Sequence, residues 1–246
     1  MGIFDFLSKE NRTKSRIAKN VKRANNKYTP KEYRQAALYE VIELAKSGEE
    51  QAISGLLARF AVNAEPSIED EKEKEWVCDA LIDIGEKALP RIKNALRTSE
   101  SVNWVQRVLR NIVDDDAYKA ELMNVLDEFD TEYERNPDRK IQTVMALAEL
   151  DGEDIAEKLV RFLQDVNETV RYQTVVALSK LACELAREPL LKVMCEDESI
   201  RVRNEVIEVF CSLEWNTSGA KKQVASILPA GFKQDKSGKI IRLGNA

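Results

Sequence analysis

The stretch QTVMALAEL, residues 142–150, returns almost unchanged 31 positions later as QTVVALSKL, residues 173–181. Apolar residues recur in both copies at offsets of three and four, as Val144 and Leu147 do. That spacing places them on one face of a helix, and each copy therefore predicts a helix with one buried face. The same pattern appears again in NEVIEVFCSL, residues 204–213.

Earlier segments carry the same apolar slots, and each first helix is followed by a second apolar segment. Examples of these second segments are ALPRIKNAL (88–96), DIAEKLVRFL (154–163) and AREPLLKVM (186–194). A single helix pair cannot bury its apolar face alone, whereas stacked pairs share a continuous core. The sequence therefore predicts an all-α fold, an α-solenoid of about six helix pairs.

Three regions are predicted along the chain. Residues 1–28 form a basic N-terminal segment that includes a capping helix, and residues 29–228 form the solenoid. Residues 229–246 form a C-terminal tail in which FKQDKSGKIIRL, residues 232–243, has a polar turn between two short apolar segments. This pattern is typical of a β-hairpin that closes the last repeat.

Two segments carry a further repeated signature, LQDVNETVR (163–171) and CEDESIRVR (195–203). In each, an Asp precedes an Arg by six residues: Asp165 with Arg171, and Asp197 with Arg203. Together with the helix pairs, these segments resemble HEAT repeats, especially their short bacterial form and the HEAT-like repeats of phycobilin lyases. The resemblance implies that the Asp and Arg form a structural ladder between successive repeats. The stretch YERNPDRK departs from this pattern and offers Glu134 and Lys140 instead.

The composition excludes several kinds of catalytic site. The chain has no histidine, which removes Ser-His and Cys-His nucleophilic pairs and histidine metal sites. Its four cysteines contain no CxxC pair, so reduced, packed thiols are favoured over a zinc site built from the three C-terminal ones. We therefore expect a cytoplasmic protein with no catalytic residues, no metal and no cofactor.

Charge is unevenly distributed. Residues 1–35 have ten Lys and Arg against three Asp and Glu, a net charge of +7, while residues 36–216 have 22 against 39, a net charge of −17. The basic N-terminus is either a solvated capping helix or a contact for nucleic acid or an anionic membrane. The basic candidates are Arg16, Lys19, Lys22 and Arg23. Phe4 and Phe6 precede them and are expected to dock on the solenoid, on a partner or at a membrane.

One column of the repeat register lies at the edge of the buried face. Its members are four residues before the aligned Ala slot: Tyr33, Trp76, Trp104, Gln142, Gln173 and, in the last repeat, Glu205. Half-exposed aromatic side chains are typical anchors for a binding partner. Alternatively, they seal the seam between neighbouring helices.

The acidic stretch EPSIEDEKEKE, residues 65–75, lacks the alternating oxygen ligands and the Gly of a calcium loop. Carboxylates at a helix start are stabilised by the helix dipole. We therefore expect this stretch to form solvated surface, whose negative charge would steer a basic protein partner toward the body.

The leading functional hypothesis is a non-enzymatic scaffold that binds a protein partner along the solenoid surface. The first alternative is nucleic-acid binding, as in the HEAT-like alkylpurine DNA glycosylases, which this design also resembles. The net charge of −17 in the middle region opposes that alternative, because it repels phosphate. Peripheral membrane association through the basic N-terminus is a further alternative. An enzyme related to the phycobilin lyases ranks last, since no set of residues indicates a reaction.

Overall fold

The computed structural model describes residues 3–243, with side chains described from residue 10 onward. The chain divides into two compact units, which we call unit 1 (Met1–Glu121) and unit 2 (Leu122–Ala246). Unit 1 contains α1 (Ile3–Ala24), α2 (Lys31–Lys46), α3 (Glu50–Arg59), α4 (Ser67–Ile84), α5 (Leu89–Thr98) and α6 (Asn103–Ile112). The division between the units falls inside α7 (Asp115–Asp127).

Unit 2 continues the same alternation of helices. It contains α8 (Asp138–Leu147), α9 (Glu153–Leu159) with a 3-10 extension (Val160–Gln164), α10 (Glu168–Leu181), α11 (Arg187–Glu196), α12 (Ile200–Ser212) and α13 (Lys221–Ile227). From residue 31 onward the even-numbered helices are first helices and the odd-numbered ones are second helices. The prediction of an all-α fold with about six helix pairs is thereby confirmed. The boundaries predicted after residues 28 and 228 stay predictions.

Within each unit the helices pack in two layers. In unit 1, α4 contacts the first helices α2 and α6, while the second helices α3 and α5 contact each other. In unit 2, α10 contacts α8 and α12, and α11 contacts the 3-10 extension of α9 and also α13. First helices therefore stack on first helices, and second helices stack on second helices.

The repeated apolar face forms the core of unit 2. Val144 and Leu147 of α8, Val175 and Leu178 of α10, and Phe210 of α12 are fully buried. Complete burial of one such side chain stabilises the folded state by about 1.5–3 kcal/mol. The duplicated nine residues thus supply neighbouring layers of one core.

A two-stranded hairpin ends the described chain. Strand β1 (Phe232–Gln234) pairs antiparallel with β2 (Ile240–Arg242), and β2 contacts α12. The turn between the strands contains Gly238, whose φ of +91° is accessible to glycine with little strain. The carbonyl of Gly238 accepts a hydrogen bond of 2.8 Å from the buried hydroxyl of Thr217. The predicted hairpin is confirmed.

Helix α1 packs against α2 and α3 through one narrow face. Ile17 and Ala24 on that face are buried, and Val21 between them faces Gly55 of α3. A Cβ atom at residue 55 would lie 2.3 Å from Cγ2 of Val21 and 3.1 Å from Cγ1. Glycine at this position therefore permits the close approach of α1 and α3.

We expect Gly55→Ala to destabilise unit 1 by about 1–3 kcal/mol, because Val21 would be overpacked. At an open helical site the same change would stabilise the protein by up to about 1 kcal/mol. Urea unfolding and the rate of tryptic cleavage within α1 measure the effect. The double variant Val21→Ala/Gly55→Ala serves as the control and is expected to recover most of the loss. A stabilised Gly55→Ala protein would contradict this packing.

A buried cluster of charges joins α2, α3 and α4. Arg34 of α2 donates from Nε and Nη2 to the two carboxylate oxygens of Glu73 at 2.7 and 3.0 Å. Arg59 of α3 donates from Nη2 to Glu73 at 3.0 Å and also to Asp70. Lys74 Nζ lies 2.8 Å from the second oxygen of Asp70. All five side chains are buried, and they hold one another in place.

The prediction that residues 65–75 form solvated surface is wrong for Asp70, Glu73 and Lys74. The reason is that Arg34 and Arg59 are also buried, so carboxylates must neutralise them. Burial alone would raise the pKa of Asp70, but hydrogen bonds from Lys74 and Arg59 outweigh it and hold that pKa below its ordinary value.

Candidate partner-binding groove

A groove of about 580 Å³ lies in unit 2 between two successive second helices. The 3-10 extension of α9 and the turn after it form one wall, and α11 forms the other. Five of the twelve residues that line the groove are apolar. These are Val160, Leu163, Val166, Pro189 and Val193. Val166 is 53% exposed although it is aliphatic, so the groove offers apolar surface to a ligand.

Arg171 of α10 is a buried cation that lines the groove. Its Nε and Nη2 donate to the two carboxylate oxygens of Asp197 at 2.8 and 3.2 Å, and its Nη1 donates to the carbonyl of Asp165 at 2.9 Å. The hydrogen bond to Asp197 raises the pKa of Arg171 above its ordinary value. The guanidinium is therefore fixed, and it ties the turn before α10 to the turn before α12.

The carboxylate of Asp165 forms an ion pair with a different basic side chain. The Nζ atom of Lys140, in α8, lies 2.8 Å from Oδ2 of Asp165, and both side chains are buried. The cation of one repeat thus contacts the Asp of the next repeat in two successive cases, Lys140 with Asp165 and Arg171 with Asp197. Arg203 occupies the equivalent position in α12 and is half-buried. It forms no ion pair with the side chains of residues 10–243.

The two Asp residues also organise the helix starts beside the groove. Asp165 Oδ1 accepts the backbone N–H of Asn167, and Asp197 Oδ1 accepts that of Ser199, each at 2.8 Å. The side chains of Asn167 and Ser199 in turn accept backbone N–H groups in the first turns of α10 and α12. The signatures in 163–171 and 195–203 therefore encode both the helix cap and the charge contact.

The opening of the groove is acidic. Four carboxylates and two cations line it, and Asp165 and Asp197 already contact buried cations. Glu196 lies 3.9 Å from the exposed Lys192, and Glu198, whose side chain is 88% exposed, lies 3.5 Å from Arg171. An exposed carboxylate is only weakly coupled to a neighbouring cation, so Glu196 and Glu198 leave negative potential at the entrance.

Unit 1 has a smaller groove in the equivalent place. It encloses about 370 Å³ between α3 and α5, and Phe60, Leu57, Ala95 and Arg91 are among the residues that line it. Trp104 of α6 stacks on Phe60, with ring centroids 5.7 Å apart and planes at 10°. The guanidinium of Arg107 lies 5.2 Å from the centroid of the Trp104 ring.

The predicted aromatic column lies on the first helices and does not line the groove of unit 2. Tyr33 is 66% exposed and Trp76 is 36% exposed, whereas Trp104 is half-buried against Phe60. Gln142 and Gln173 are half-buried. The sequence analysis did not identify Val166 and Pro189 as site residues, because its candidate column was taken from the first helices, whereas Val166 lies in a turn and Pro189 in a second helix. The signal that was available in the sequence is an apolar residue, Val166, directly after Asp165 in a turn where polar residues are usual.

The basic candidates lie on the solvent side of α1. Arg16 forms an ion pair with Glu40, and Lys19, Lys22 and Arg23 are exposed. The side chains of Phe4 and Phe6 lie outside the described residues. Among the side chains of residues 10–243, no group of three or more Cys, Asp or Glu is placed to hold a metal ion. No helix in the described range is long and apolar enough to cross a membrane.

Comparison with known families identifies part of the chain. The family model for HEAT repeats matches residues 120–211, which include α8 to α11 and all but the end of α12. No curated protein matches the chain. HEAT repeats generally mediate protein–protein interaction. The groove of unit 2 lies within residues 120–211, so it belongs to the part of the chain that is similar to HEAT repeats.

Proposed function

We propose that this chain is a non-enzymatic, cytoplasmic adaptor and that it binds a peptide segment of a partner protein in the groove of unit 2. The observation that carries the proposal is the combination of apolar lining residues, of which Val166 is 53% exposed, with an acidic entrance. Apolar walls bind side chains by excluding water, and a few charged groups set the direction of the bound segment. The proposed role is binding alone, without a catalysed reaction.

The groove defines the partner's chemistry. An aliphatic side chain of the partner would contact the exposed Val166 and the half-buried Val160, which both line the groove. A Lys or Arg one or two residues away would reach Glu196 and Glu198 at the entrance. Oppositely charged surfaces also accelerate association and disfavour acidic competitors. The expected partner segment is therefore aliphatic and basic.

A peptide library displayed on phage and selected on the full chain tests the proposal. We expect the enriched peptides to pair an aliphatic residue with Lys or Arg. Fluorescence polarisation with these selected peptides should show an affinity loss of about tenfold or more in Glu196→Lys/Glu198→Lys, since two attractive charges become repulsive. Val166→Ser should also weaken binding, because it removes exposed apolar surface from the wall.

A matched control separates this site from general charge effects. The variant Glu132→Lys/Glu157→Lys changes the net charge equally, at exposed residues of unit 2 that do not line the groove. It should bind the selected peptides like the unchanged protein. Peptides in which Glu replaces the basic residue should regain affinity for Glu196→Lys/Glu198→Lys. Equal binding by the unchanged protein and Glu196→Lys/Glu198→Lys would overturn the proposal.

A further inference from the structure

Helix α1 carries a basic stripe on the face opposite its buried residues. Arg12, Arg16, Lys19 and Arg23 follow one another at spacings of four, three and four residues, so they share one helix face. Ile17 and Ala24 on the other side are buried against α2 and α3. The stripe therefore faces solvent over about 17 Å, and Lys22 lies beside it.

Most of these charges are not neutralised. Arg16 forms an ion pair with Glu40. For Arg12, Lys19, Lys22 and Arg23, no carboxylate partner is recorded among the side chains of residues 10–243. A row of unpaired cations on one helix face attracts a polyanion.

Another groove of unit 1 lies at the end of this stripe. It encloses about 630 Å³ between the end of α1 and the turn after α3. Its lining has ammonium and amide groups, from Lys22, Lys27, Asn25, Asn26 and Asn63, and it includes no carboxylate. The Oδ1 atoms of Asn26 and Asn63 already accept hydrogen bonds from Tyr28 N–H and Lys74 Nζ, so their Nδ2 groups are the donors that would meet phosphate or base oxygens.

An exposed aromatic ring stands next to this groove. Tyr28 is 82% exposed, and Nζ of Lys27 lies 5.1 Å from its ring centroid. The backbone N–H of Tyr28 donates to Oδ1 of Asn26, and the N–H of Thr29 donates to the carbonyl of Asn26, both at 3.0 Å. The loop is thus held in a turn. Because Lys27 lies over one face of the largely exposed ring, a base would stack on the opposite face.

We infer that the α1 stripe and Tyr28 bind single-stranded nucleic acid, with phosphates along Arg12, Lys19, Lys22 and Arg23 and a base stacked on Tyr28. A single strand is narrow enough to follow one helix, so it avoids the acidic middle region; charges are screened beyond about 8 Å at physiological salt. Among residues 10–24 the exposed face of α1 carries no large apolar side chain, which argues against insertion into a membrane.

Fluorescence anisotropy with labelled dT12 and U12 oligonucleotides on the full chain tests this inference. If five cations including Lys27 contact phosphates, the logarithm of the association constant should fall against the logarithm of the salt concentration with a slope of about −3.5. The variant Arg12→Ala/Lys19→Ala/Lys22→Ala/Arg23→Ala should bind more weakly, by about tenfold or more. Its slope should be about −0.7, because only Lys27 remains. Tyr28→Ala should lose affinity about 5- to 100-fold while the slope is kept, because it removes stacking and no charge.

The matched control, Lys158→Ala/Lys180→Ala/Arg201→Ala/Lys222→Ala, removes four cations from unit 2 and should bind the oligonucleotides like the unchanged protein. An equal loss in that control, or unchanged binding in the α1 variant, would overturn the inference. Vesicles of phosphatidylcholine with 30% phosphatidylserine provide the second arm. Binding to vesicles without binding to either oligonucleotide would also overturn it, and would assign the stripe to a membrane.

Discussion

The substitution Glu73→Ala is expected to lower the free energy of unfolding by about 3–5 kcal/mol, because it leaves two buried guanidinium groups without their shared carboxylate. Glu73 accepts hydrogen bonds from Arg34 at 2.7 and 3.0 Å and from Arg59 at 3.0 Å. Each of these side chains is almost completely buried. Asp70 remains beside Arg59, so Arg34 loses the most.

Urea unfolding of the full chain, followed by circular dichroism and tryptophan fluorescence, measures the effect. Glu71→Ala is the control, because Glu71 lies on the same helix and is exposed; its loss should stay within about 0.5 kcal/mol. Glu73→Gln keeps hydrogen-bonding capacity without the charge and is expected to fall between the two. If Glu73→Ala unfolds at the same urea concentration as Glu71→Ala, the buried cluster does not stabilise unit 1.

The sequence predicted the repeat architecture well because one physical signal dominates it. Val144, Leu147, Val175 and Leu178 are spaced for a helical face, and the structure buries all four. A periodic pattern of this kind needs no knowledge of distant contacts. The hairpin at 232–243 was also predictable, since its polar turn and short apolar segments are local.

Buried charge was not predictable in the same way. EPSIEDEKEKE is indistinguishable from a solvated acidic helix until Arg34 and Arg59 are known to face it from α2 and α3. The pairs between the arginines and the carboxylates of the cluster are 11 to 39 positions apart in the chain. Local sequence patterns do not predict these contacts, because the side chains come together only when α2, α3 and α4 stack.

The candidate site was predictable only in part. The repeated Asp and Arg signatures marked Asp165, Arg171 and Asp197, which line the groove of unit 2. The cavity itself results from the spacing of two second helices, which a one-dimensional pattern does not contain. The aromatic column was found from the register, but the exposed Tyr33 and Trp76 lie on first helices, where no described groove accompanies them. Their role as anchors stays a prediction.

The second large effect is expected at a buried ion pair of unit 2, Lys140 with Asp165. Asp165→Asn should lower the free energy of unfolding by about 3 kcal/mol or more, because Lys140 stays buried while its closest carboxylate is removed. The distance between Lys140 Nζ and Asp165 Oδ2 is 2.8 Å, whereas Glu134 lies 3.8 Å from the same ammonium. Asparagine can still accept the N–H of Asn167, so the variant isolates the loss of charge.

A double-mutant cycle with Lys140→Met decides whether the pair acts as a unit. Each single variant leaves one buried charge unpaired, while Lys140→Met/Asp165→Asn leaves none, so the double variant should be more stable than the sum of the single losses predicts, by about 1–3 kcal/mol. The exposed pair Lys180 and Glu149 supplies the control, since Lys180→Ala should cost no more than about 0.5 kcal/mol. Additive losses in the cycle would mean that the contact between successive repeats contributes no coupling, and that unit 2 is held together by its apolar face alone.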